Sequence, residues 1–186
     1  MIENILIHTC CADCLLNLVH SLEEENIIDK NTHITLFFYN PNIHPRSEYL
    51  IRLDALKIVI KEKYPERNIK LVIPDYRPKE YFESIVRKAK RCLGCWELRL
   101  SKTFEYAKAH NIPNVSSTLL GSHYQDINTI IQIGEALANE DIHLVYPHKE
   151  HEHLNNKGFY KQNYCGCCYS LNEKMWEKFV KTDATC

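Results

Sequence analysis

The chain predicts an α/β fold, a parallel sheet of about five strands with helices on both faces, Rossmann-like or adenine-nucleotide-hydrolase-like in arrangement. Three observations predict it. Short apolar runs of strand character alternate with longer segments whose apolar residues recur at helical spacing. No internal repeat or low-complexity linker interrupts that alternation. The length, 186 residues, suits one α/β domain with a sizeable core and no need of disulfide staples.

Taken in order, Ile5-Leu6-Ile7 centres a first strand over 2–8, and the apolar residues from Leu15 to Leu22 place a first helix over 13–26. His33 to Tyr39 reads as the second strand, closed by the turn-rich Asn40-Pro41-Asn42-Ile43-His44-Pro45. A helix from about Ser47 to Tyr64 follows, with Tyr49, Leu50, Leu53, Leu56 and Ile60 on one face. Lys70 to Pro74 is the third strand, and 79–90 a helix that carries the basic cluster Arg87, Lys88, Lys90 and Arg91. Next come a helix from about Trp96 to Asn111, a fourth strand from Val115 to Leu120, a helix from about Asp126 to Ala138 and a fifth strand from Ile142 to Tyr146. The His-rich stretch 147–157 reads as a loop, and a helix around 172–181 closes the chain. Residues 1–186 are expected to form a single α/β domain, with the Cys-rich segment from about 158 to 186 packing near the N-terminal cysteines.

A net charge of −1 gives no global field, so any nucleic-acid surface must be a local patch. The N-terminus lacks a basic region followed by a long apolar run, and no apolar stretch approaches spanning length. A cytoplasmic chain with no membrane contact is therefore expected. In that setting nine cysteines read as metal ligands or redox thiols, not disulfide staples. The odd count leaves one over, and Cys186 is the natural remainder.

The cysteines fall in three groups. Cys10, Cys11 and Cys14 occupy a turn between the first strand and the first turn of a helix. There the unpaired N–H groups and the positive end of the helix dipole favour thiolate, the form that binds metals. The carboxyl ends of parallel strands are also where ligands collect. Three buried thiols packed as small apolar residues are the plainer reading, and Asp13 among them argues against a dry core. Cys92-x-x-Cys95 opens another helix and suits zinc, an iron–sulfur cluster or a thioredoxin-like dithiol. With Cys10 and Cys11 it would make an ordinary four-thiolate zinc site, although adjacent ligands are awkward for a zinc knuckle and easier for an iron–sulfur cube. Cys165-Gly166-Cys167 can close a strained, labile disulfide because glycine tolerates unusual backbone angles. Equally, these thiols can add ligands to the same metal site.

Five motifs carry a resemblance: His8-x-Cys10-Cys11-Ala12-x-Cys14; Tyr39-Asn40-Pro41-Asn42-Ile43-His44-Pro45 with Glu48-Tyr49 and Arg52; Arg91-Cys92-x-x-Cys95 with Leu98-Arg99-Leu100; Ser117-Thr118-Leu119-Leu120-x-Ser122-x-Tyr124-Gln125; and Tyr164-Cys165-Gly166-Cys167-x-Tyr169-Ser170. Together, in this order and over nearly the whole chain, they resemble the QueH-type epoxyqueuosine reductases. That family reduces the epoxide of epoxyqueuosine at the tRNA wobble position to queuosine, with a 4Fe–4S cluster and without cobalamin. The resemblance implies Cys10, Cys11, Cys92 and Cys95 as cluster ligands and Cys165 with Cys167 as a redox-active pair. It also implies a second metal ion, iron or zinc, beside the cluster, with Asp13 and Cys14 as candidate ligands by position. Two departures stand out: Asp13 replaces the family's usual proline, and 147–157 replaces an Asp-Phe-Arg stretch and a longer basic segment.

The implied chemistry needs two electrons and two protons to turn an epoxide into an alkene and water. A cluster delivers electrons singly, so a dithiol or second metal beside it makes chemical sense, and a low-potential donor must refill both. A Lewis acid or proton donor has to face the epoxide oxygen. His8, Asp13, Tyr124 and His44 are the candidate donors, with a strand-capping role the plainer reading of His8. Tyr39, Tyr49 and Tyr124 either stack on the modified base or fill the core. Asn40, His44, Arg52 and Gln125 are the remaining candidate substrate contacts. The base must leave the anticodon stack to reach a buried centre. Arg87, Lys88, Lys90 and Arg91 would hold tRNA phosphates, or form a solvated face. Two rivals stand beside this reading, a zinc-stapled nucleic-acid-binding protein without redox activity and a metal-free thiol–disulfide oxidoreductase.

Overall fold

The structure, a computed structural model, describes residues 1–121, 125–149, 154 and 158–183. Its elements run β1 (Asn4–His8), α1 (Ala12–Glu24), β2 (His33–Phe37), α2 (Arg46–Lys63), β3 (Ile69–Val72) and α3 (Pro78–Ile85). They continue with α4 (Arg91–Ala109), β4 (Asn114–Ser117), a 3-10 turn (Thr118–Gly121), α5 (Ile127–Leu137), β5 (His143–Leu144) and α6 (Cys168–Asp183). All strand pairs are parallel and the sheet order is β3-β2-β1-β4-β5. This is the α/β sheet the sequence predicts.

The order reverses at β1, whose neighbours are β2 on one side and β4 on the other. A crevice opens outside the carboxyl ends of strands at such a switch point, and ligands bind there. His8, the last residue of β1, stands in register with Phe37 of β2 and Ser117 of β4, so it marks the floor of that crevice.

Alternation along the strands sets the two faces. Ile5 and Ile7 of β1 pack with Leu15, Leu18 and Leu22 of α1 and Leu53 and Leu56 of α2. Leu6 points the other way, into Phe104 and Ala107 of α4 and Val115 of β4. Trp96 and Leu100 of α4 pack in turn against Leu119 of the 3-10 turn and Ile130 of α5. Helices thus cover both faces.

Several boundaries differ from expectation. The helix expected over 79–90 stops at Ile85, and α4 begins at Arg91 instead of about Trp96. Four cations within five residues repel one another along a continued helix, and the chain must also reverse here. A Cβ on Gly94 would lie 2.3 Å from the Ser84 carbonyl oxygen, so α4 meets α3 backbone to backbone. The fourth strand ends at Ser117, where the chain turns so that the Thr118 hydroxyl accepts from the Cys10 N–H at 3.0 Å. β5 shrinks to His143–Leu144, an edge strand that pairs only with Asn114 and Val115. α6 starts earlier than expected, at Cys168.

Candidate metal centre

The strand–turn–helix at the end of β1 builds the centre. Cys11 is the N-cap of α1: its backbone is extended and its sulfur accepts the Cys14 N–H at 3.3 Å. A thiol here takes the place of the usual hydroxyl or carboxylate and feels the helix dipole. Cys10 Sγ lies 3.9 Å from Cys11 Sγ and receives the Thr118 hydroxyl at 3.2 Å. The sulfurs of Cys10, Cys11 and Cys14 all lie within 4.8 Å of one another. Tetrahedral zinc with Zn–S near ~2.3 Å spaces its ligands at about 3.8 Å, so these thiols are close to a metal-ligand arrangement. The trio also shares charge. Hydrogen bonds from Cys11 and then Cys14, with Arg99 and Thr118 assisting, hold Cys10 well below the ordinary thiol range, while Cys11 and Cys14 are raised chiefly by the same shared bonds.

Cys10, Cys11, Asp13 and Cys14 line one wall of a pocket, with Leu119, Gly121 and Gln125 beyond them. Residues 160–162 with Tyr164 and Cys165 form the facing wall, and Arg52 and Arg99 complete it. The facing wall is fastened by several contacts. The His44 N–H donates to the Gly166 carbonyl at 2.8 Å, and Arg52 donates to the carbonyls of Tyr164 and Cys165, each at 3.4 Å. Arg52 is itself ion-paired with Glu48 at 2.6 Å, and Glu48 also accepts the Tyr160 hydroxyl. Lys161 Nζ closes the wall onto Asp13 Oδ2 at 3.1 Å.

A second thiol group adjoins the first. Cys95, Cys165 and Cys167 pack in one cluster with Tyr81 and Ile85. The Cys165 and Cys167 sulfurs are 3.5 Å apart, and no disulfide occurs among the described residues. A hydrogen bond from Cys167 lowers the Cys165 thiol to about 6, and the same bond first, then burial, raises Cys167. Cys95 is pushed up to about 11 by burial, and Cys92, at the exposed start of α4, is raised for the same reason. A metal would have to displace protons from both.

Behind the thiols lies a buried polar network. His8 is fully buried and touches Ser117 Oγ through Nδ1 at 3.0 Å. Its Nε2 lies 3.2 Å from Arg99 Nε and 3.1 Å from the Tyr39 carbonyl. Arginine only donates, which makes Nε2 the acceptor and leaves the proton on Nδ1. Burial, then Arg99, lowers His8 to about 3, so the ring is neutral. Asn40 accepts from Arg99 Nη2 at 3.0 Å and donates to the Thr9 carbonyl at 2.8 Å.

Of the residues picked from sequence, Cys10, Cys11, Asp13, Cys14, Arg52, Gln125 and Cys165 meet at the pocket, with Cys92, Cys95 and Cys167 beside it. His8 and Asn40 lie behind it. Tyr39 packs in the core with its hydroxyl on Glu80. The His44 ring packs on Tyr81 and Phe82. Arg87 and Lys88 stand on the exposed α3–α4 turn, where Lys88 pairs with Glu97 at 2.6 Å; Arg91 bonds Glu173 and covers the Tyr169 ring. Tyr124 lies outside the described residues, as does most of 147–157. The described part of that loop docks on α1, with Leu154 N–H on Asn17 and the His148 and Lys149 N–H groups on Glu25. Sequence reading gave no site role to Arg99, Thr118 or Lys161. Arg99 did carry a signal, since it lies one helical turn beyond Cys95.

Fold and site together define a class: an α/β protein with a thiol centre at the switch point of its sheet, its sulfurs close enough together to hold a metal ion. The sequence pattern of the family Epoxyqueuosine reductase QueH matches residues 5–173. Epoxyqueuosine reductase QueH of Haemophilus influenzae is 31% identical over 92% of this chain and 73% of its own length. That of Dehalococcoides mccartyi is 31% identical over 94% and 96%, and that of Thermotoga maritima 29% identical over 91% and 91%. The chain belongs to the QueH family of epoxyqueuosine reductases.

Proposed function

We propose that this protein reduces the epoxide of epoxyqueuosine at the tRNA wobble position to queuosine, in the cytoplasm. The observation that carries the reading is the convergence of Cys10, Cys11, Cys14 and Cys165 on one pocket at the switch point, in a chain of this family. The trio Cys10, Cys11 and Cys14 supports a metal centre, since its sulfurs are clustered and Cys10 is held well below the ordinary thiol range. Cys10, Cys11, Cys92 and Cys95 are the proposed ligands of a 4Fe–4S cluster, with Asp13 and Cys14 for a second iron or zinc ion. Such a centre supplies electrons one at a time.

The chain's own residues account for the rest. Epoxide plus two electrons and two protons gives alkene plus water. Cys165 thiolate and Cys167 thiol, joining as a disulfide, release two electrons and one proton; an external low-potential donor restores them. Lys161 Nζ, at the pocket wall beside Asp13, supplies the second proton. The Gln125 carbonyl oxygen takes the Trp96 indole N–H at 2.7 Å, which leaves its amide N–H groups to the modified base.

Anaerobic reconstitution with iron and sulfide tests this. A brown protein with about four irons per chain, or about five where the second ion is iron, is expected, and Cys92→Ala lowers that content whereas Cys167→Ser keeps it and loses turnover. The close spacing of the Cys10, Cys11 and Cys14 sulfurs favours one further reading, a closed zinc site that only staples the fold. A colourless protein holding zinc and refusing iron would establish it.

A further inference from the structure

Two guanidiniums are buried beside the thiol pocket, and they differ in charge balance. Arg52 is neutralised by Glu48. Arg99 is 2% exposed, and among the described residues its hydrogen-bonding partners carry no carboxylate. His8 Nε2 and Asn40 Oδ1 accept two of its N–H groups, and since an imidazole nitrogen that accepts carries no proton, neither side chain brings charge. The remaining edge, Nη1, approaches Cys95 Sγ at 4.0 Å. Arg99 also lines the pocket with Cys10, Cys11, Cys14 and Cys165.

Guanidinium does not shed its charge in a protein, and a buried charge is tolerated only where something of opposite sign repays its lost hydration. Of the acids that line the pocket with Arg99, Asp13 is ion-paired with Lys161 at 3.1 Å, and the others are thiols. We infer that Arg99 is the internal counter-ion of the thiolate centre, a positioning residue that balances the negative charge the ligands bring. The inference rests on the redox-centre reading above. It gives the buried network behind the cysteines a purpose. His8, backed by Ser117, and Asn40, anchored on the Thr9 carbonyl, hold the guanidinium with Nη1 toward sulfur. Arg52 does not substitute for it, because its charge is spent on Glu48 and its remaining donors on backbone carbonyls.

A fixed cation beside a redox centre stabilises the more negative, reduced state and so raises the midpoint potential. The test reconstitutes wild type, Arg99→Lys and Arg99→Met without oxygen, measures iron and sulfide, and follows each midpoint potential by electron paramagnetic resonance. Circular dichroism checks that each variant is folded. Arg99→Met is expected to titrate at a more negative potential than wild type, and Arg99→Lys close to it. If Arg99→Met holds no centre, Arg99→Lys decides: a centre at near wild-type potential upholds the requirement for charge, and loss of the centre there too overturns it. An iron-loaded Arg99→Met with wild-type potential also overturns it, leaving the reductase reading intact. A wild-type protein that takes up zinc but no iron ends both.

Discussion

Cys165 and Cys167 are chemically unlike although one glycine separates them. Gly166 has φ +105, a left-handed conformation that a side chain strains, and a Cβ there would press within 3.1 Å of Ile43 and 3.2 Å of Arg52. That turn brings the sulfurs together so that they share one proton, which stays on Cys167. Thiolate is the nucleophile, so its fraction sets reactivity. In the metal-free reduced protein, iodoacetamide should therefore label Cys165 with a rate that rises through about pH 6 and then levels off. Cys167 should react only under alkaline conditions. Peptide mass spectrometry after timed labelling reads both, and two profiles rising together near the ordinary thiol range would contradict the shared proton. The cysteines were legible in the sequence because their spacing at strand–helix turns is local. The helical spacing of Arg99 from Cys95 was legible too, but its role was not, because that comes from burial against residues up to 91 positions away.

At the scale of elements, the close crossing of α3 and α4 aims the second thiol group. Gly94 sits between Cys92 and Cys95, and any side chain there meets the Ser84 carbonyl and Ile85 Cα, which are backbone and yield only if the helices part. Gly94→Ala should cost about 1–3 kcal/mol by overpacking, read as a lower thermal midpoint, and should lower iron content because Cys92 and Cys95 move with α4. An unchanged midpoint and full iron would show that the crossing is looser than it looks. This crossing also accounts for where sequence reading failed. The apolar periodicity of α1, α2 and α4 announced those helices, whereas the end of α3 depends on a contact with Gly94 that no local pattern reveals. Likewise β4 stops at Ser117 because Thr118 turns to Cys10, a partner 108 residues away.

Over the whole molecule, a five-stranded parallel sheet lifts the thiols to the rim of a switch-point crevice. No helix among the described residues is long and apolar enough to cross a membrane. Charge is nearly balanced overall, so any contact with nucleic acid must be local, and Arg87 and Lys90 stand exposed five and two residues before Cys92. Lys88 and Arg91 are tied to Glu97 and Glu173, which weakens their claim on phosphate. Reversing Arg87 and Lys90 to Glu should weaken tRNA binding and flatten its dependence on salt, since each lost phosphate contact removes close to one released counterion. Filter binding across a salt series measures this, and an unchanged slope would make the turn an ordinary solvated surface. The central claim, that the thiol centre reduces an epoxide on tRNA, is tested most directly by nucleoside analysis. Reconstituted protein, a low-potential reductant and tRNA carrying epoxyqueuosine are incubated without oxygen, and the digested nucleosides are weighed by mass spectrometry. Conversion of epoxyqueuosine to queuosine, a loss of one oxygen, is the predicted result; unchanged epoxyqueuosine with a fully loaded centre would contradict it.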